Sequence, residues 1–247
     1  MSPEGSEHAI LDELTPDHIR NAIFGDNGVV QRRFRELFGE EIDRAIAALA
    51  KAHSEFQRLQ AGIALEPRAA TVQLFIHAAI NSIIVSLHHL VSGYPISSGH
   101  MMRHYTESIA MALMCSDERT RVYKRYEADR KTFPVQKAPG MLRQNNIKNP
   151  LKESLGFEPD AWETILQIAA LYGQLSHASA LALGHQLMLT ETGGLIIGAE
   201  FDPAKADVYG SDVVRRRSAA ESLAHIIPII MNVLPKKPTT AGRHETE

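Results

Sequence analysis

Val72-Gln-Leu-Phe-Ile-His-Ala-Ala-Ile-Asn-Ser-Ile-Ile-Val-Ser-Leu-His-His-Leu-Val91 is the stretch on which the fold turns. Apolar side chains fall on nearly every side of a 3.6-residue turn, so a helix here belongs at the centre of a bundle. It is too polar to face lipid, because Gln73, His77, Asn81, Ser82, Ser86, His88 and His89 interrupt it and unsatisfied polar groups are costly in hydrocarbon. Pro67 in front and Gly93-Tyr94-Pro95 behind set its limits at about 68–91.

The neighbours follow from the same reading. Upstream, Val30, Phe34, Phe38, Ile42, Ile46, Leu49, Phe56 and Ile63 form one apolar stripe, which predicts a long helix over about 29–64. Thr15-Pro16-Asp17 reads as a cap opening a short helix to about Phe24. Downstream, a core helix is expected over about 97–115 and a charged one over about 117–131. Residues 132–159 carry four prolines and two glycines with little periodicity, and read as a long irregular segment. A helix is expected from Asp160 to about Ala182, then a hairpin over 187–199 turning at Gly193-Gly194. Asp202-Pro203 opens a last helix to about Leu234, kinked at Pro228. The predicted fold is mainly α, an irregular bundle of about six or seven helices with one short β-hairpin near 187–199. Residues 14–234 form a single domain, between a flexible start (1–13) and a flexible polar tail (235–247).

Composition narrows the function classes. A hydrophobic fraction of 44% with 22% charged residues suits an ordinary globular core. Cys115 is the lone cysteine, in an apolar run, and reads as a buried hydrophobe rather than a nucleophile. One free thiol and a polar N-terminal stretch make a reducing cytoplasm the expected location. No Gly-x-Gly-x-x-Gly, no Gly-Lys-Ser/Thr loop, no Gly-x-Ser-x-Gly elbow and no cysteine pair is present, which argues against phosphate-loop nucleotide hydrolysis, a hydrolase-type serine and a cysteine-held zinc.

Charge is uneven. The net charge is −3, yet residues 119–152 hold ten of the 26 Lys/Arg and two of the 29 Asp/Glu. Arg125, Arg130, Lys131, Lys137, Arg143 and Lys148 are the candidate polyanion contacts, with Tyr123, Tyr126 and Phe133 available to stack on bases. The alternative is a solvated face that balances the acidic remainder.

Two polar clusters stand out. His100, Arg103, His104 and Glu107 recur at three and four residues on one helix face, with Arg103 and Glu107 spaced to pair. Tyr172, Ser176, His177 and Ser179 form the second, among small residues that let another helix approach. If the two meet, Arg103 binds an anion or holds Glu107, and His177 serves as proton carrier. His100, His104, Tyr172, Ser176 and Ser179 then contact the ligand. No metal is predicted. The alternative is a divalent ion on His100, His104 and Glu107, which the fixed charge of Arg103 opposes.

These segments resemble bacterial all-helical families classed as domains of unknown function, some placed near HEPN-like or abortive-infection proteins. The likeness rests on Arg103-x-x-x-Glu107, then Tyr172-x-x-Leu175-Ser176-His177, a short hairpin with Gly193-Gly194, and a last long helix. HEPN ribonucleases carry arginine, four to six residues, then histidine. Here Arg217 and His225 are separated by seven residues and Arg68 and His77 by eight, so the resemblance implies a fold rather than that activity. The reading is a binding or interaction domain with an interior polar site and a basic segment that contacts RNA or another polyanion. The alternative is a hydrolase, RNA-cleaving or metal-dependent, using His177 and the His100/His104/Glu107 face. A homodimer through the apolar last helix is a further option.

Overall fold

The computed structural model describes residues 16–156, 159–175, 179–187, 189, 196 and 198–238. Among them are ten α-helices: α1 (Pro16–Phe24), α2 (Gly28–Gln60), α3 (Pro67–Val91), α4 (Pro95–Ser116), α5 (Val122–Ala128), α6 (Ala138–Met141), α7 (Asn145–Leu155), α8 (Pro159–Leu175), α9 (Ala180–Gln186) and α10 (Ala206–Asn232). Prolines at the first turns of α3 and α4 are tolerated there because those N–H groups have no partner inside a helix.

The central prediction holds. Val72, Ile76, Ala79, Ile83 and Leu90 on α3 are fully buried. α3 and α4 form an antiparallel pair joined at Ser92-Gly93-Tyr94. Gly93 sits at φ 84°, and a Cβ there would lie 2.7 Å from the Glu200 backbone nitrogen, so the turn requires glycine. By length and hydropathy α3 could also cross a membrane, but half of its most apolar window is buried inside the fold.

α2 and α10 run in the same direction along this pair. Phe34 meets Tyr209, Arg217 reaches Glu41 at 2.7 Å, and Ile63 bridges to Lys236. Phe34, Phe201 and Tyr209 close one end of the bundle, with ring centroids 5.1–5.3 Å apart. α10 continues through Pro228. Its apolar stretch (Ile226, Ile227, Ile230, Met231) is buried in the core, so the run that suggested pairing between copies is used within one. Residues 235–238, read as part of the tail, pair with the α2–α3 turn through the Lys237 N–H and the Gly62 carbonyl at 3.0 Å.

Three expectations change. The segment 132–159 is largely helical, because Ile147, Leu151 and Leu155 lie four residues apart and bury one face of α7. Pro150, read as a breaker, is accommodated inside α7. The helix expected over 160–182 is divided: α8 ends at Leu175, and Ser179 caps α9 by accepting from the Ala182 N–H at 3.1 Å. The hairpin expected over 187–199 falls mostly outside the described residues. None of the described ones lies in a strand, although the Ile196 N–H donates to the Gln186 carbonyl at 2.7 Å.

Candidate functional site

α8 lies antiparallel on α4. Gly99 permits the approach, since a Cβ there would collide with the Leu175 side chain at 2.6 Å. Further along, Ala169, Ala170 and Gly173 on α8 and Gly140 on α6 supply too little volume to fill the space opposite Arg103. A cleft of about 520 Å³ results, within the usual range for a small-molecule site.

Arg103 and Glu107 are the charged pair of this cleft. The Arg103 Nε donates to Glu107 Oε1 at 2.8 Å, with side chains 25% and 14% exposed. Among the described residues the two terminal nitrogens of Arg103 have no protein partner. Arg143 stands on the facing wall, mostly exposed, and among the described residues its side chain pairs only with Glu163, at 3.4 Å. The Gln136 and Gln174 side chains complete the polar lining, and Leu166, Ala169 and Ala170 provide an apolar wall.

The two predicted clusters therefore converge, but only in part. Arg103, Glu107 and Ser179 line the cleft, as does Arg143 from the polyanion set. The Ser179 hydroxyl is already engaged, donating to the Gln174 carbonyl at 2.7 Å while capping α9. His104 turns away to α3, where its Nδ1 lies 2.7 Å from Ser82 Oγ. Consecutive residues on a helix point about 100° apart, so Arg103 and His104 serve different neighbours. His100 is exposed outside the cleft. Ser176 and His177 lie outside the described residues. His100, His104 and Glu107 do not assemble into a metal-binding group, and no other such group of His, Cys, Asp or Glu occurs among the described residues.

Tyr172 belongs to a different structure. It is fully buried, and its hydroxyl accepts from Arg216 Nη1 at 3.2 Å and donates to Asp212 Oδ1 at 3.3 Å. Burial pushes its pKa up to about 12, with Arg216 opposing. Arg216, with no exposed surface, also donates to Ser86 Oγ at 2.8 Å, Ser98 Oγ at 2.6 Å and the Asp212 carbonyl at 2.7 Å. One guanidinium thus bonds a residue from each of α3, α4, α8 and α10. Ser86 and Ser98 each donate to the other's carbonyl. Sequence reading missed this network because Arg215-Arg216-Arg217 resembles a solvated charge run. Its signal was position: Arg216 falls on the buried stripe Tyr209, Val213, Ala220, Leu223 and Ile227.

The basic segment is less free than its composition suggests. Arg125 and Arg130 lie over the rings of Phe133 and Tyr126, at 5.9 and 6.0 Å. Tyr126 packs edge-on against Phe75 and Phe133, so these aromatics are partly used in the core rather than forming an open stacking platform. Arg119 is committed to Asp117 and Glu153. Lys131 and Lys137 are exposed and Lys148 is half-buried.

Two further features carry no polar convergence. Cys115 is buried, and that burial pushes its thiol up to about 12, which fits a packing role. A groove of about 550 Å³ between α2 and α3 is lined by apolar side chains such as Ile46, Leu49 and Ile84, with His53 and His88.

Compared with family models, with curated proteins and with solved structures, the chain matches none of them.

Proposed function

We propose that this chain is a binding domain for a ligand bearing a carboxylate or phosphate, anchored by Arg103 in the α4/α8 cleft. The observation that carries the reading is the state of the Arg103 guanidinium. Glu107 fixes it through Nε, and among the described residues its terminal nitrogens have no protein partner in a water-reachable hollow. A planar guanidinium held from one edge is suited to clasp an oxyanion with the other. Arg143 adds a second positive charge across the cleft. Gln136 and Gln174 offer both donors and acceptors to a neutral polar part of the ligand, and the alanines and Leu166 accept an apolar part.

Glu107 is a positioning residue in this scheme: its carboxylate limits the rotamers of Arg103. The exposed cations Arg125, Arg130, Lys131 and Lys137 belong to the same stretch of chain as Gln136 and Arg143. They raise the positive potential there and favour the approach of anions.

Calorimetric titration with inorganic phosphate and with succinate, on the intact chain and on Arg103→Gln, tests the reading. The expected result is saturable binding that weakens about ten-fold or more in the variant, the loss of a charge-assisted hydrogen bond. Binding unchanged in Arg103→Gln removes the anchor. Binding of single-stranded RNA with a steep salt dependence, and none of either small anion, would instead favour the polyanion form of the reading.

A further inference from the structure

The solvent-facing side of α3 carries no charged residue. Leu74, His77, Asn81, Ile84 and His88 are exposed and Val91 is half-buried. They follow at steps of three, four, three, four and three, the heptad spacing of a helix packed along another helix. Arg68 is the one Asp, Glu, Lys or Arg in α3, and it is buried. Leu74 is 71% exposed and Ile84 49%. A surface helix ordinarily keeps its charges on this side. α2 does so along part of its length, with the surface ion pairs Arg33–Glu36 and Arg44–Glu40.

The uncharged side continues onto α2. Ile84, His88 and Val91 stand on the α3 wall of the groove between the two helices, and Ile46, Ala50 and His53 on the α2 wall. Among the described residues no Asp, Glu, Lys or Arg lines it. The exposed residues Ala47, Ser54 and Gln57 of α2 carry the uncharged surface further. From Leu74 to Val91 the face is about 26 Å long, and two helices side by side make it about 20 Å wide. That is roughly 500 Å² on one copy and roughly 1,000 Å² in a symmetric pair, the area that a specific interface has to reach.

Charge and symmetry select the occupant. A charged partner side chain would lose its water on this face and find no counter-charge, so the face matches a partner as free of charge as itself. Its spacing reads the same from either end. A two-fold axis passing beside α3 between Asn81 and Ile84 therefore makes the seam complementary to itself. In that antiparallel register Leu74 meets Val91 of the second copy, His77 meets His88 and Asn81 meets Ile84, and each contact occurs twice. We infer that this face is a homodimer interface, on which α3 of a second copy of this chain packs antiparallel along Leu74, His77, Asn81 and Ile84, flanked by Ile46 and Ala50 of α2. The Arg103 cleft lies on α4, α6 and α8, so the anion-binding reading and this pairing stand or fall separately.

Sedimentation equilibrium of the intact chain across the micromolar range tests this, and a monomer–dimer equilibrium is expected. Ile84→Glu places an acid beside the axis on both copies and should raise the dissociation constant about ten-fold or more. Leu74→Gln removes an apolar contact without adding charge and should raise it by less. Both residues are exposed in the single copy, so circular dichroism should show both variants as helical as the parent chain. Val208→Glu makes the same kind of change on α10, at a residue 43% exposed beside α8, and should leave the dimer intact. A chain that is monomeric throughout the range, a dimer that Ile84→Glu leaves unchanged, or one that Val208→Glu weakens as much would overturn the assignment.

Discussion

Arg103 with Glu107 and Arg216 with Asp212 are the same local motif, an arginine and a carboxylate one helical turn apart. Their surroundings make them opposites. Arg103 is 25% exposed, uses Nε on its carboxylate and keeps its terminal nitrogens for something else. Arg216 has no exposure and bonds four helices, and its own carboxylate contact at 3.5 Å is the weakest of the set. A guanidinium whose donors are satisfied by the fold is a staple, and one whose donors face a hollow is what the proposed anchor requires. What separates them is the volume opposite: Ala169, Ala170 and Gly173 leave space in front of Arg103, whereas Ser86, Ser98 and Tyr172 close around Arg216.

The largest effect should come from Arg216→Ala. Removing the central member of a buried ionic network leaves Asp212 with only Tyr172 and the partly exposed Arg215, and takes from Ser86 and Ser98 the donor they share, a cost of about 3–5 kcal/mol. Urea denaturation checks this, and a loss below ~1 kcal/mol would erase the contrast. Arg216→Lys should rescue little, since an ammonium cannot reach all four helices at once. Arg103→Gln should show the reverse profile, with stability altered by no more than ~1 kcal/mol while phosphate binding falls. A stability loss approaching that of Arg216→Ala would make Arg103 a second staple.

Tyr172→Phe sharpens the comparison. It deletes only the hydroxyl between Arg216 and Asp212 and should cost about 1 kcal/mol in the same denaturation experiment. The smallest effect is the pH dependence from His185. Its folded pKa lies below the ordinary 6.5 because of burial, so below that pH the unfolded chain takes up the proton first. The stability it contributes is complete above about 6.5 and is lost as pH falls below it. Denaturation midpoints between neutral and mildly acidic pH should therefore decline less in His185→Gln than in the parent chain. Equal slopes would show that His185 is not held neutral.

Much of this was legible from periodicity. The stripes on α2, α3 and α4 give the bundle because burial of an apolar face dominates their energetics. Where reading failed, one local signal outvoted another. Pro139 and Pro150 suggested an irregular segment, while Ile147, Leu151 and Leu155 carried the helix that formed. The Arg103–Glu107 half of the site was readable from i,i+4 spacing. The placement of His104 against Ser82 and of Tyr172 in the core was not, because it depends on which neighbour each helix face meets. The same holds for the Arg216 staple: its four partners lie far apart in sequence.

The most direct measurement follows the Nε–H resonances of the two arginines during titration with inorganic phosphate. The account predicts a saturable shift of the Arg103 signal, while the Arg216 signal stays fixed and slow to exchange with solvent. A stationary Arg103 signal, or equal shifts at both, would contradict it.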